Sequence, residues 1–123
     1  MTILAVLLGG AIGAPLRYLT DVFVQSRHDS DFPWGTFTVN VVGSLLLGVT
    51  AAAVVELGSP PWVLAFVGTG ICGALTTFST FGYETVRLLD EGSVTAAAAN
   101  SVASIVVALG ACAGGFALAS AVL

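Results

Sequence analysis

Charged residues divide this chain into four long uncharged runs, Met1 to Leu16, Phe32 to Val55, Leu57 to Tyr83 and Gly92 to Leu123. An apolar stretch of about 18 or more residues can cross the hydrocarbon core as a helix, and three of the runs meet that length directly. The first is shorter, but Tyr18, Leu19, Val22, Phe23 and Val24 continue it if Arg17 snorkels to the headgroups or finds a buried partner. The pattern predicts four membrane helices, roughly Ile3 to Gln25, Gly35 to Glu56, Pro61 to Leu89 and Ser93 to Ala121. The connections at Ser26 to Trp34, Leu57 to Pro60 and Asp90 to Gly92 leave no room for a soluble domain. Residues 1–123 therefore read as a single four-helix transmembrane domain.

The third run is the least regular. Gly73, Thr76, Thr77, Ser79 and Thr80 interrupt it, and Phe78 and Phe81 lie three residues apart within the interruption. Hydrocarbon tolerates such polar and glycyl positions only where the backbone lines a cavity or binds something. The expectation is a broken third helix whose unwound segment carries the functional site.

Composition strengthens the membrane reading: 57% of residues are hydrophobic, only 8% are charged, lysine is absent, and the mean hydropathy is +1.04. A cleaved leader is the alternative for the first run, but its usual basic beginning is missing and Gly9, Gly10 and Gly13 crowd the middle. The net charge of −4 comes mostly from the loop carboxylates Asp29, Asp31, Asp90 and Glu91, and it argues against a nucleic-acid partner. Cys72 and Cys112 fall inside apolar runs as small hydrophobes, and His28 sits in a polar loop as a solvated side chain. No paired intramembrane carboxylates, activated nucleophile or metal-ligand cluster supports an enzyme.

Polar residues inside the predicted helices are few. Thr36, Asn40 and Ser44 fall at i, i+4 and i+8, which places hydroxyl, amide and hydroxyl on one stripe. Such a stripe either lines a wet pathway or bonds a neighbouring helix; the amide of Asn40, with two donors and an acceptor, is the hardest of the three to satisfy in hydrocarbon. Asn100 and Ser104 repeat the spacing on the last helix. Arg17 reads equally as a snorkelling side chain or as a vestibule cation, and Glu84 reads as a helix-surface partner for Arg87. Gly9-xxx-Gly13 and Gly110-xxx-Gly114 each predict a close helix contact, within one subunit or between two. A chain this short can hardly enclose a pathway alone, which points to an oligomer.

Three blocks carry a resemblance: Gly10 to Tyr18 (GAIGAPLRY), Gly35 to Ser44 (GTFTVNVVGS) and Gly70 to Phe81 (GICGALTTFSTF). In this order they resemble the signature blocks of the Fluc/CrcB fluoride channels, and the length and four-helix plan extend the likeness over the whole chain. The resemblance implies a fluoride-selective channel exporting the ion passively across the cell membrane, an inverted, antiparallel dimer with two pores, and a structural Na+ on its axis. By position it implies that the backbone carbonyls of Gly73 and Thr76 hold the Na+. It further implies that Phe78, Phe81, Asn40, Thr36 and Ser104 line the pore, and that Arg17 stands in the vestibule. The partner would be a second copy of the chain or an inverted paralogue, surrounded by lipid. The chain departs from the family at its last helix. Asn100 stands where an aromatic residue often begins the polar track, and Ala108 where a hydroxyl is expected.

Two other readings compete. A small multidrug-type transporter shares the chain length and inverted dimers, but its chemistry needs a carboxylate midway along the first helix, and here Asp21 lies near the end. A non-conducting subunit of a heterodimeric channel is the third. Arg27 and Arg87 lie near one side of the predicted bundle, with Arg17 closer to that side than to the N-terminus. The positive-inside rule then puts the loops after the first and third helices in the cytoplasm and both termini outside.

Overall fold

The computed structural model describes residues 2–27 and 32–123, all helical apart from turns. His28, Asp29 and Asp31, read above as loop residues, lie outside the described residues. Helix α1 is Thr2–Gln25, α2 is Trp34–Leu57, α4 is Ser79–Asp90 and α5 is Val94–Val122. Between α2 and α4 runs α3, residues 61–75, which together with α4 makes up the third crossing, Pro61–Asp90. All four crossings are long and apolar enough to span a bilayer, and they begin and end within a residue or two of the hydropathy pattern. Pro15 and Arg17 both lie inside α1 without ending it.

The boundaries follow local chemistry. Pro61 opens α3, where its missing N–H costs nothing, after Gly58 has closed α2 in the left-handed conformation (φ 63°). Gly92, at φ 81°, makes the equivalent turn between α4 and α5. The N-terminus of α2 has no cap of its own; the Gly35 N–H is taken by Gln25 Oε1 of α1 at 2.9 Å. Asp21 packs so closely on Gly35 that a Cβ there would lie 2.0 Å from its carboxylate. A T-shaped and tilted cluster of Phe32, Trp34 and Phe37 sits at the same end of α2, as aromatic rings do at a membrane interface.

Helix packing rests on glycine. Hydrocarbon gives apolar side chains no reason to prefer each other over lipid, so crossings depend on close backbone approach. Most large apolar side chains of α1 and α5, among them Ile3, Leu7, Val102 and Leu109, are accordingly exposed on the outside. Gly9 and Gly13 form the seat on which α3 lies. A Cβ at Gly9 would be 2.2 Å from the Phe66 carbonyl and one at Gly13 would be 2.4 Å from that of Ile71. Gly70 answers from the other side, its Cβ position 2.8 Å from Gly9 Cα. The first glycine pair is thus an internal contact. Gly110 and Gly114 instead face open space, and α5 meets α2 through Gly48 against the Cys112 carbonyl and Gly115 against that of Leu45.

Within α3, residues Leu64–Cys72 wind as a wide helix with i to i+5 hydrogen bonding, and the Gly73 N–H still reaches back to the Gly68 carbonyl. Wide turns of this kind are uncommon and frequent at functional sites. The sequence reading expected a break in this crossing but not the wide winding before it, because glycine-rich apolar residues carry no pattern that separates the two helix types.

The seat makes a direct prediction. Gly9→Val should destabilise the bundle by about 1–3 kcal/mol, the usual cost of overpacking, whereas Gly10→Val, with nothing within 4 Å of its Cβ, should be close to neutral. Unfolding of both variants in detergent micelles checks the contrast.

Candidate functional site

The third crossing breaks at Thr76, Thr77 and Phe78. Thr76 leaves the helix with extended backbone (φ −82°, ψ 161°), and its N–H and hydroxyl both end on the Cys72 carbonyl, at 2.9 and 2.8 Å. Its methyl group packs where Gly43 of α2 has no side chain. One residue later the chain is held from outside. Thr77 donates its N–H to Asn40 Oδ1 at 2.8 Å, and its carbonyl accepts from Asn40 Nδ2 at 3.0 Å. The side chain of Asn40 thus stands in for the helical partners that Thr77 has lost. The Thr77 hydroxyl then accepts the Thr80 N–H at 3.2 Å, capping the start of α4, and the Gly82 N–H reaches the Phe78 carbonyl. Among the described residues no hydrogen bond ends on the carbonyls of Gly73 or Thr76.

Around the break lies an open groove of about 460 Å³, lined from α2 by Asn40 and Ser44, from the break by Thr77 and Phe78, and from α5 by Ser104 and Ala108. Gly73, Thr76 and Phe81 also border it. The residues singled out from sequence are therefore brought together with two exceptions. Thr36 lies outside the lining, buried and hydrogen-bonded through its hydroxyl to Glu84 Oε1. Arg17 is half-buried on α1 and makes no hydrogen bond or ion pair among the described residues. The phenylalanine rings stand 5.8 Å apart at 45°, with Phe78 82% exposed and Phe81 half-buried.

A second set of polar contacts ties α4 to α5 beside the groove. Asn100, only 1% exposed, donates through Nδ2 to Thr85 Oγ1 at 2.8 Å and accepts the Ser104 hydroxyl at 3.2 Å. Thr85 in turn donates to the Phe81 carbonyl at 2.9 Å. The hydrogen-bond partner of Glu84 is Thr36 of α2 rather than Arg87 of its own helix, and Arg87 pairs with Glu91 at 3.2 Å.

Asn40, Ser104 and Thr77 stand out in the sequence, but the pairing of Thr77 with Asn40, the place of Thr85 and the partner of Glu84 do not. Thr77 and Thr80 at i, i+3 do carry a capping signal before a new helix. The other two contacts join separate crossings, and no spacing within one helix encodes them.

Among the described residues no three His, Cys, Asp or Glu side chains come close enough to hold a metal ion. The groove offers no nucleophile with a base beside it. It offers hydroxyls, one amide, aromatic rings and the open carbonyls of Gly73 and Thr76.

Comparison with known proteins agrees with the geometry in kind. A protein of Frankia casuarinae named fluoride-specific ion channel FluC 1 is 57% identical to this chain, over 99% of this chain and 98% of its own length. One of the same name from Streptomyces avermitilis is 55% identical over 90% of each chain, and another from Nocardia farcinica is 50% identical over 90% of this chain and 75% of its own. These names are those of ion channels, not of enzymes. The sequence also matches the family described as CrcB-like protein, Camphor Resistance (CrcB), over residues 4–116, so a multi-pass membrane protein with all four crossings inside or overlapping that match belongs to the CrcB-like family.

Proposed function

We propose that this chain forms a fluoride-selective channel that lets the ion pass down its gradient, as an antiparallel dimer with two pores. The observation that carries the reading is the groove at the break. There the Asn40 amide and the Ser104 hydroxyl, from two crossings, border the same groove as the paired rings of Phe78 and Phe81 and the unwound backbone. The relatives named as fluoride-specific channels supply the identity of the ion.

Fluoride is small and strongly hydrated, so a narrow path must offer donors in place of its water while excluding larger anions. Asn40 can do this without releasing Thr77, since a primary amide nitrogen carries two hydrogens and only one is committed. The ring edges of Phe78 and Phe81 carry partial positive charge and hold an anion more weakly than a hydrogen bond does, which favours onward movement. Thr36 and Glu84 continue the polar line beyond the groove. Arg17, with no partner within the described chain, raises the concentration of anions at the mouth.

The groove is open on one side, and Gly73 and Phe78 are exposed there, which supports a second subunit as its other wall. The carbonyls of Gly73 and Thr76 suit Na+: they are hard oxygens without hydrogen-bond donors, and a partner would present the same pair again. A bound Na+ would supply fixed positive charge and a tie between the subunits. The partner is a second copy or an inverted paralogue. Ala108 presents a methyl group rather than a hydroxyl to the groove.

Liposomes containing the purified chain should release fluoride and retain chloride; equal flux of the two anions overturns the reading. Phe81→Ile, which removes the ring edge but keeps the bulk, should lower flux about two- to tenfold, the range that one aromatic contact is worth. Measured efflux from liposomes of equal protein content decides it.

Gly73 provides an independent test. A side chain there meets nothing within this chain, so Gly73→Val should fold normally and yet lose dimer assembly and sodium-dependent stability. Thr76→Ser keeps the hydroxyl bond to Cys72 and should retain both. Chromatographic mass and thermal melts with and without sodium read out the difference.

A further inference from the structure

Asn100 is almost completely buried and does not line the groove, yet both ends of its amide are engaged. From Ser104 the hydrogen bonds run in one direction: the Ser104 hydroxyl donates to Asn100 Oδ1, Asn100 Nδ2 donates to Thr85 Oγ1, and Thr85 donates to the Phe81 carbonyl. The path begins at one groove residue and ends on the backbone of another, 23 positions earlier in the chain by their numbers, Phe81 and Ser104. Every hydrogen along it points away from Ser104.

That direction matters for Ser104. A serine hydroxyl has one hydrogen and two lone pairs. With its hydrogen held by Asn100, Ser104 turns lone pairs toward the groove and cannot stabilise an anion there until the hydroxyl swings round. The 3.2 Å bond to Asn100 is long for a hydroxyl donor, so the exchange costs little. Without the amide, the hydroxyl would fall back on the backbone carbonyl one turn earlier, the usual choice of serine in a helix, and would be harder to recruit.

We propose that Asn100 is a positioning residue for anion passage: it parks the Ser104 hydrogen in a weak bond from which the ion can take it, while Thr85 accepts from the other end of its amide and holds that amide in place. This rests on reading the groove as an anion path. Asn100 does not line the groove and acts through Ser104.

The test is a double-mutant cycle on fluoride efflux from liposomes, measured over a range of fluoride concentrations. Asn100→Leu, close in volume but without the amide, should raise the half-saturating concentration about three- to tenfold, the factor one hydrogen bond is worth, with maximal flux largely kept. Ser104→Ala should act in the same direction, and the double variant should be no worse than the more impaired single one. Thr85→Val cuts the same path from its other end and should reproduce a milder form of the shift, which keeps the proposal open to refutation if Asn100→Leu fails to fold. A merely structural Asn100 would lower maximal flux or assembly and leave half-saturation unmoved. Losses that multiply in the double variant overturn the assignment to Asn100 alone, whereas an unmodified chain that carries no fluoride overturns both this inference and the channel reading.

Discussion

The fold depends on how one residue outside the helical pattern is kept hydrogen-bonded inside a membrane. Interrupting a helix frees main-chain N–H and carbonyl groups, and each one left bare in hydrocarbon costs several kcal/mol by the usual order of magnitude. At Thr77 both groups are met by a single side chain, Asn40, which reaches across from α2 with acceptor and donor correctly disposed. The Thr77 hydroxyl then starts the next helix. A kink that would otherwise unravel becomes a fixed corner, and the groove owes its shape to that corner.

The same economy of donors governs the helix contacts. α1 and α3 approach until glycine Cα atoms lie against carbonyl oxygens, at Gly9 with Phe66 and Gly13 with Ile71, a geometry that also suits weak Cα–H to oxygen contacts. Behind this rigid pair, α4 and α5 are joined by side-chain bonds through Asn100 and Thr85. The two halves are built differently. One is close-packed backbone on backbone, and the other is tied by amide and hydroxyl groups whose hydrogens can exchange partners.

Much of this was legible from sequence, and the reasons are particular. Four crossings follow from where charges occur, because lipid penalises them strongly, and the break follows from the polar pair Thr76 and Thr77, whereas Gly73, which also interrupts the apolar run, stays helical. Asn40 stood out because an amide is costly to bury. What escaped was contact between crossings. Glu84 has Arg87 one turn away in sequence, yet its hydrogen bond goes to Thr36, which sequence spacing cannot reveal. The roles of the two glycine pairs were likewise undecidable, since a small residue facing a neighbouring backbone and one facing open space are identical in sequence; Gly9 and Gly13 proved to be the first kind, Gly110 and Gly114 the second.

The wide winding of Leu64–Cys72 ties the length of the chain to the direction its corner faces. Each residue in an ordinary helix turns the chain by about 100°. An insertion or deletion between Gly70, which meets the glycine seat of α1, and the corner at Thr76 would therefore rotate Thr77 away from Asn40 even if every helix survived intact. A more loosely wound helix can absorb small changes in pitch, but not a whole residue of them. Along this stretch the number of residues constrains the corner more tightly than the identity of the apolar side chains does.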